Sequence, residues 1–217
     1  MSDHTWTILI ATIGRRGRKL QHMLNWLLPQ TNRHNGEVTV TALWNNGEKT
    51  LAQYRQELIE SATSEYVSFI DDDDMISLTF VERVMEALSH RPDQVGWRMQ
   101  CIQDGNELKP TFHSIRYNGW FEDENGYYRD VSHLNPVKRE LALRCNFTRG
   151  EPPEDVSWVE QLRHHVKTEQ YIDEIMYYYH ASSADSTWRP GSVTRGNDER
   201  IVVHHPYFSF HPWSYSE

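Results

Sequence analysis

Tyr66 to Ile70 form a short, almost wholly apolar run, and the next four residues are Asp71, Asp72, Asp73 and Asp74. A run of that length and composition reads as a strand buried on both faces. Four carboxylates at its end cannot be buried unpaired, because each ionised group would keep a large desolvation cost. The strand must therefore end where water or a cation reaches it. A hard divalent ion, Mn²⁺ or Mg²⁺, takes oxygen ligands. In open α/β sheets the C-terminal ends of strands are also where ligands bind. A solvated acidic turn capping the next helix is the plainer alternative. The apolar strand before the acids and the amphipathic helix after them favour the cation.

The flanking pattern repeats this unit. Thr7 to Thr12 reads as a buried strand, followed by a glycine-punctuated basic turn holding Arg15. Leu20, Met23, Leu24 and Leu27 then mark an amphipathic helix that Pro29 is expected to close. Strand, basic turn and helix present backbone N–H and guanidinium groups to an anion, although a solvated basic turn has the same composition. The Gly-Lys-Ser/Thr ending of a Walker A loop is missing. Val38 to Trp44 predicts a second strand, closed by the turn Asn45-Asn46-Gly47. Leu51, Tyr54, Leu58 and Ala62 predict a second helix with Arg55 near its middle. Val81, Val84, Met85 and Leu88 predict a third. Three successive strand–helix units imply a parallel sheet with helices on its faces.

From Gln94 the pattern changes. Val95 to Ile102 reads as a strand, Asp104-Gly105-Asn106-Glu107 as a hairpin turn, and the residues up to Val131 as short, mostly antiparallel strands attached to the parallel sheet. Glu154 and Asp155 open a helix carrying Val159, Leu162 and Val166, and capping alone explains two acids there equally well. Ile172 to Tyr179 reads as a strand followed by His180.

The net charge of −9 over 217 residues argues against a nucleic-acid grip by overall charge. It leaves one local basic patch, Lys138, Arg139, Arg144 and Arg149. Two cysteines make no disulfide framework. The first residues lack the features of a signal peptide, and no apolar run reaches the length of a membrane span. The expectation is a soluble cytoplasmic protein, in the host cytoplasm if viral. Eight Trp and eleven Tyr suit sugar or nucleobase sites and also fill cores.

This order of motifs, from about Thr7 to Ser186, resembles family 2 glycosyltransferases with the GT-A fold. Ser64 to Asp74 resembles the family's A-x-G-E-Y-V-x-F-L-D-x-D-D segment, with Ala62 in place and Ser64 where glycine is usual. The resemblance implies an α/β fold with a mixed, mainly parallel central sheet and helices on both faces. It implies one domain over 1–188, with a nucleotide-binding half (1–93) and an acceptor and catalytic half (94–188). Residues 189–217 would be a loop and tail, with a His/aromatic stretch at 204–213. Asp71 and Asp73 fall on the family's Asp-x-Asp, so that Asp73 holds the metal and Asp72 faces the ribose. Thr12 and Arg55 match nucleotide-contacting positions, Arg15 adds positive charge, and Asn45 stands where an aspartate often reads the base. Glu154-Asp155 matches the Glu-Asp pair, which makes Asp155 the catalytic base. His180, followed by Ser183 and Ser186, matches a histidine completing the metal or diphosphate site. The glycine-rich loop usual before Glu-Asp is absent, and His133-Leu134-Asn135-Pro136 and Gly150 occupy that region.

The implied activity is inverting, Mn²⁺- or Mg²⁺-dependent transfer from a nucleotide-diphosphate sugar, UDP-sugar favoured, to an acceptor hydroxyl. The acceptor would be a saccharide, a protein, a small molecule or a hydroxymethylated base in phage-type DNA, the last held by the Lys138–Arg149 patch. Two rivals stand beside it. One is a nucleotidyltransferase, which would usually show a longer glycine-rich signature with a lysine after the first strand. The other is a non-catalytic sugar- or nucleic-acid-binding module.

Overall fold

The computed structural model describes residues 4–34, 36–45, 47–147, 154–181, 193–195 and 201–203, with backbone alone at 45, 193–195 and 201–203. The chain runs β1 (Trp6–Ile13), α1 (Gly17–Thr31), β2 (Val38–Asn45), α2 (Leu51–Ser61), β3 (Tyr66–Phe69), β4 (Met75–Ile76) and α3 (Phe80–Leu88). It continues with β5 (Gln94–Gln103), β6 (Asn106–His113), β7 (Phe121–Glu122), β8 (Tyr127–Arg129), β9 (Val137–Lys138), α4 (Arg139–Ala142), α5 (Glu154–Leu162) and β10 (Glu169–Ala181). Val193–Arg195 and Ile201–Val203, β11 and β12, pair antiparallel as a separate ribbon. The rest of the 189–217 tail, including 204–213, lies outside the described residues.

One sheet carries ten strands in the order β2-β1-β3-β9-β5-β6-β8-β7, with β10 beside β5 and β4 beside β10. The N-terminal half is parallel as the strand–helix repeat demands: β1 pairs with β2 and β3. Side chains alternate across β1. Trp6, Ile8 and Ile10 join a core with Leu20, Met23 and Leu27 of α1 and Phe80, Val81 and Val84 of α3. Leu9 joins Val67 and Phe69 in a second core with Leu58 of α2, Leu141 of α4 and Trp158 of α5. Helices thus cover both faces. Among the described residues no helix is long and apolar enough to cross a membrane.

One expectation needs correction. Helix α1 runs through Pro29 to Thr31. The proline removes an N–H and crowds the Asn25 carbonyl one turn back, but the last turn is held from outside. The Gln30 side chain donates to the carbonyls of Trp26 and Ser77 and accepts from the Val81 N–H at the start of α3. The strands from Gln94 to Val131 are mostly antiparallel, as expected, with β5 against β6 and β7 against β8. β5 and β6 form a hairpin whose turn residues, Asp104 and Gly105, both take positive φ (50° and 78°), the geometry of a two-residue type I′ turn. However, β8 pairs parallel to β6 and β10 parallel to β5, because long connections carry the chain back to the starting end before each strand.

The two halves are stitched by residues 133–138. The Phe69 N–H donates to the His133 carbonyl (3.0 Å), the Val95 N–H to the Pro136 carbonyl (2.9 Å) and the Asn135 amide to the Val95 carbonyl (3.0 Å). β9 then pairs antiparallel with both β3 and β5. Beside this seam Gly96 has no room for a side chain: an added Cβ would lie 2.6 Å from the His113 carbonyl oxygen and 2.5 Å from Glu169 Oε1. Gly96→Ala is expected to lower stability by about 1–3 kcal/mol, measured as a shift in the urea midpoint at unchanged m-value.

Candidate active site

The four aspartates beyond β3 meet four different environments. Asp71 accepts from Arg55 Nη2 (3.0 Å), and His133 Nε2 lies 3.7 Å from its other oxygen. Burial opposes its charge, but Arg55 and His133 outweigh burial and hold the carboxyl below its ordinary range. Asp72 accepts a short hydrogen bond from the Thr12 hydroxyl and a 2.9 Å bond from Arg16 Nη1. Asp73 Oδ2 receives Lys19 Nζ at 3.1 Å and lies 3.3 Å from Arg16 Nη2. Burial pushes the carboxyls of both Asp72 and Asp73 upward, against the pull of these partners. Asp74 is 3 % exposed and accepts from the Tyr177 hydroxyl (2.8 Å) and the His180 backbone N–H (3.1 Å). Burial, then the charges of Asp73 and Asp71, raise it well above the ordinary carboxylate range.

Arg55 ties this cluster to α5. Thr50 starts α2 with a capping box to Gln53, and Arg55, in the second turn, is 5 % exposed. Its Nη1 donates to Glu154 Oε1 (2.9 Å) while Nη2 holds Asp71. Its guanidinium carbon lies 5.6 Å from the Phe69 ring centroid and 6.0 Å from that of Phe147. Asp155, next along α5, has its Oδ2 3.7 Å from His133 Nδ1, within electrostatic reach though too far for a hydrogen bond.

A cavity of about 390 Å³ opens between the two halves. Thr12, Arg16, Arg55, Asp71, His133, Glu154 and Asp155 line it, joined by Trp120, Tyr127 and Tyr179. Thr12, Arg55, Asp71, Glu154 and Asp155 are therefore brought together as the sequence predicts. Asp72 adjoins the cavity through its bonds to Thr12 and Arg16. Asp73 and His180 are not among the lining residues. Arg15 is exposed, and its neighbour Arg16 makes the carboxylate contacts in its place. The Asn45 backbone ends β2 opposite Ile13, but its side chain lies outside the described residues, as do Ser183 and Ser186.

The basic patch takes another position. Lys138 pairs with Asp93 (3.0 Å), and Arg139 donates to the carbonyls of Ile59 and Glu60. Lys138 is registered opposite Tyr66, the end of β3 remote from the aspartates, and Arg149 lies outside the described residues. Lys138 and Arg139 are thus already engaged by the fold at the end of β3 away from the aspartates, while Arg144 is exposed.

Four site residues escape sequence reading. Arg16 and Lys19 stand one helical turn apart on the same face, a signal legible only once the helix start is known. His133 lies in an unpatterned loop. Arg129 sits two residues after Tyr127, and both line the cavity, which strand alternation would suggest.

Removing Arg55 leaves Asp71 and Glu154 without their shared cation. Arg55→Met is expected to cost about 3–5 kcal/mol at pH 7, measured by urea unfolding. Because the native Asp71 carboxyl is depressed from 3.8, its contribution is present above that pH and fades as pH falls through and below it. The difference between variant and wild type therefore narrows in acid.

A family model described as glycosyl transferase family 2 matches residues 34–143. Among solved structures, S. aureus TarS 1–349 aligns with TM-score 0.58 at 15 % identity, covering 81 % of this chain and 60 % of that one. Its complex with UDP-GlcNAc gives 0.57 at 11 % identity, covering 81 % and 58 %. Its complex with UDP gives 0.53 at 14 %, covering 82 % and 61 %. This chain spans about 60 % of the length of those structures, and at such identities the likeness shows the fold. Comparison with curated protein sequences gives no match. The mixed sheet with helices on both faces agrees with the GT-A neighbours, and the family match covers half the chain, from the start of β2 through the acidic run to α4: the chain belongs to glycosyl transferase family 2.

Proposed function

We propose that this protein transfers a sugar from a UDP-sugar to an acceptor hydroxyl with inversion at the anomeric carbon. The observation that carries the reading is the single cavity onto which Thr12, Arg55 and Asp71 converge from one half of the sheet and Asp155 from the other. Family membership supplies the reaction class. The UDP and UDP-GlcNAc complexes of TarS, a protein of like fold, support a uridine diphosphate donor.

The residues at Asp73 fit a hard cation. Asp73 Oδ1 is buried with no hydrogen-bond partner while Oδ2 faces Lys19 and Arg16, and a carboxylate oxygen left open in this way suits Mg²⁺ or Mn²⁺. Among the described residues no three His, Cys, Asp or Glu side chains converge as ligands. Asp73 would hold the ion, with His180 the nearest match the family motif offers for a second ligand and donor oxygens supplying the remaining ligands. A bound ion would neutralise charge on the leaving diphosphate.

The chain's own residues supply the other functions. Thr12 and Arg16 fix Asp72 toward the nucleotide. Arg16 and Lys19 provide cationic donors where phosphate charge grows. Arg55 locks Asp71 and Glu154, and thereby the first turn of α5. Asp155 takes the proton from the acceptor hydroxyl as that oxygen bonds to the sugar C1 and the C1–oxygen bond to the diphosphate breaks. The aromatic wall excludes water from the reacting centre.

Asp155→Asn is expected to lower kcat about 10²–10⁴-fold, with UDP affinity and melting temperature unchanged, in an assay of UDP released from UDP-sugars in the presence of an acceptor panel. Retention of full turnover would remove Asp155 from the role of base. In calorimetric titration with Mn²⁺, Asp73→Ala should bind UDP no more tightly than wild type does in EDTA. Equal affinity of wild type with Mn²⁺ and with EDTA would remove the metal from the reading.

A further inference from the structure

Within the same cavity, the wall formed by β6 and β8 carries a cation that the proposed chemistry does not use. Arg129 stands opposite His113 in the register of these strands, and both line the cavity. Arg129 is 8 % exposed. Its Nη1 donates to the backbone carbonyls of Tyr128 (2.9 Å) and Phe121 (3.3 Å), and its guanidinium lies over Trp120 and Tyr127, 5.0 and 5.8 Å from their centroids. Among the described residues it forms no ion pair. The acids in its neighbourhood are committed elsewhere: Glu122 to Lys109, and Asp130 to Arg163 and the Trp120 indole N–H.

A guanidinium buried without a carboxylate is costly. Burial pulls its pKa down to about 10, against the pull of Glu122 and Asp130 at longer range, and burial together with Arg129 pulls neighbouring His113 down to about 3, so Arg129 is the charged group of this pair and, among the described residues, no carboxylate is in ion-pair contact with it. With Nη1 engaged and the ring plane clamped by aromatics, Nε and Nη2 remain as a planar two-donor edge. That edge matches the two oxygens of a carboxylate or phosphate.

We propose that Arg129 anchors an oxyanion, a carboxylate or phosphate, carried by the substrate beyond its nucleotide, on the transferred sugar or on the acceptor. The inference rests on the glycosyltransferase reading above and narrows its substrate class to acidic donors or acceptors. A neutral substrate would leave the buried cation unpaired.

Two pairs of probes test it by calorimetric titration: UDP-glucuronate against UDP-glucose for the donor, and glycerol 1-phosphate against glycerol in UDP-saturated protein for the acceptor. Wild type is expected to favour the charged member of one pair by about ten- to hundredfold. Arg129→Met should erase that preference and Arg129→Lys should restore only part of it, since an ammonium is a point charge without the fork. If Arg129→Met does not fold, Arg129→Gln, which keeps a donor for the Tyr128 and Phe121 carbonyls, takes its place. Equal affinity within both pairs, or a preference that survives loss of the guanidinium, overturns the proposal. UDP titration of wild type separates the two readings: UDP binding without anion preference removes Arg129's role alone, whereas absence of UDP binding removes the nucleotide reading. In that second case glycerol 1-phosphate without nucleotide still decides the anchor.

Discussion

The site depends on one guanidinium. Arg55 reaches from α2 to Asp71 beyond β3 and to Glu154 at the start of α5, three segments far apart in sequence. Each carboxylate would be costly to bury alone, and each is stabilised by the same planar fork. The aromatic faces of Phe69 and Phe147 hold that fork, which reduces the freedom lost on forming the pairs. Asp155 occupies its place on the cavity wall because Glu154, one residue before it, is anchored this way.

The four consecutive aspartates show how one repeated side chain acquires several roles. Asp71 is held ionised by a cation, Asp72 is oriented by a hydroxyl and a guanidinium, and Asp73 leaves one oxygen unsatisfied. Asp74, fully enclosed, accepts from Tyr177 and from the His180 backbone and serves the fold. Like charges this close cannot all ionise at once, so the surroundings divide the burden unequally.

The first half of the fold was legible because its elements obey local rules. Apolar runs ending in turn signals made β1, β2 and β3, and 3.6-residue spacing made α1, α2 and α3. In the second half the strands, the β5–β6 hairpin and α5 were legible too, but the parallel pairing of β6 with β8 and of β5 with β10 was not, because it depends on where long connections deliver the chain. The same division holds for the site. Asp71, Arg55 and the Glu154-Asp155 pair stand in motifs with fixed spacing. Arg16 replaces Arg15 because a short 3₁₀ turn, Gly14–Arg16, sets the phase of α1, which composition does not encode. Lys138 and Arg139 looked like a ligand-facing patch, yet β9 turns them toward Asp93 and the end of α2.

The stitching segment at residues 133–138 has a mechanical consequence. Because β9 and its neighbouring backbone bonds join β3 to β5, one sheet runs through both halves with no break at the seam among the described residues. His133, carried on that seam, lies 3.7 Å from an oxygen of Asp71 and 3.7 Å from an oxygen of Asp155, so any shift of the seam would move one ring relative to both carboxylates at once.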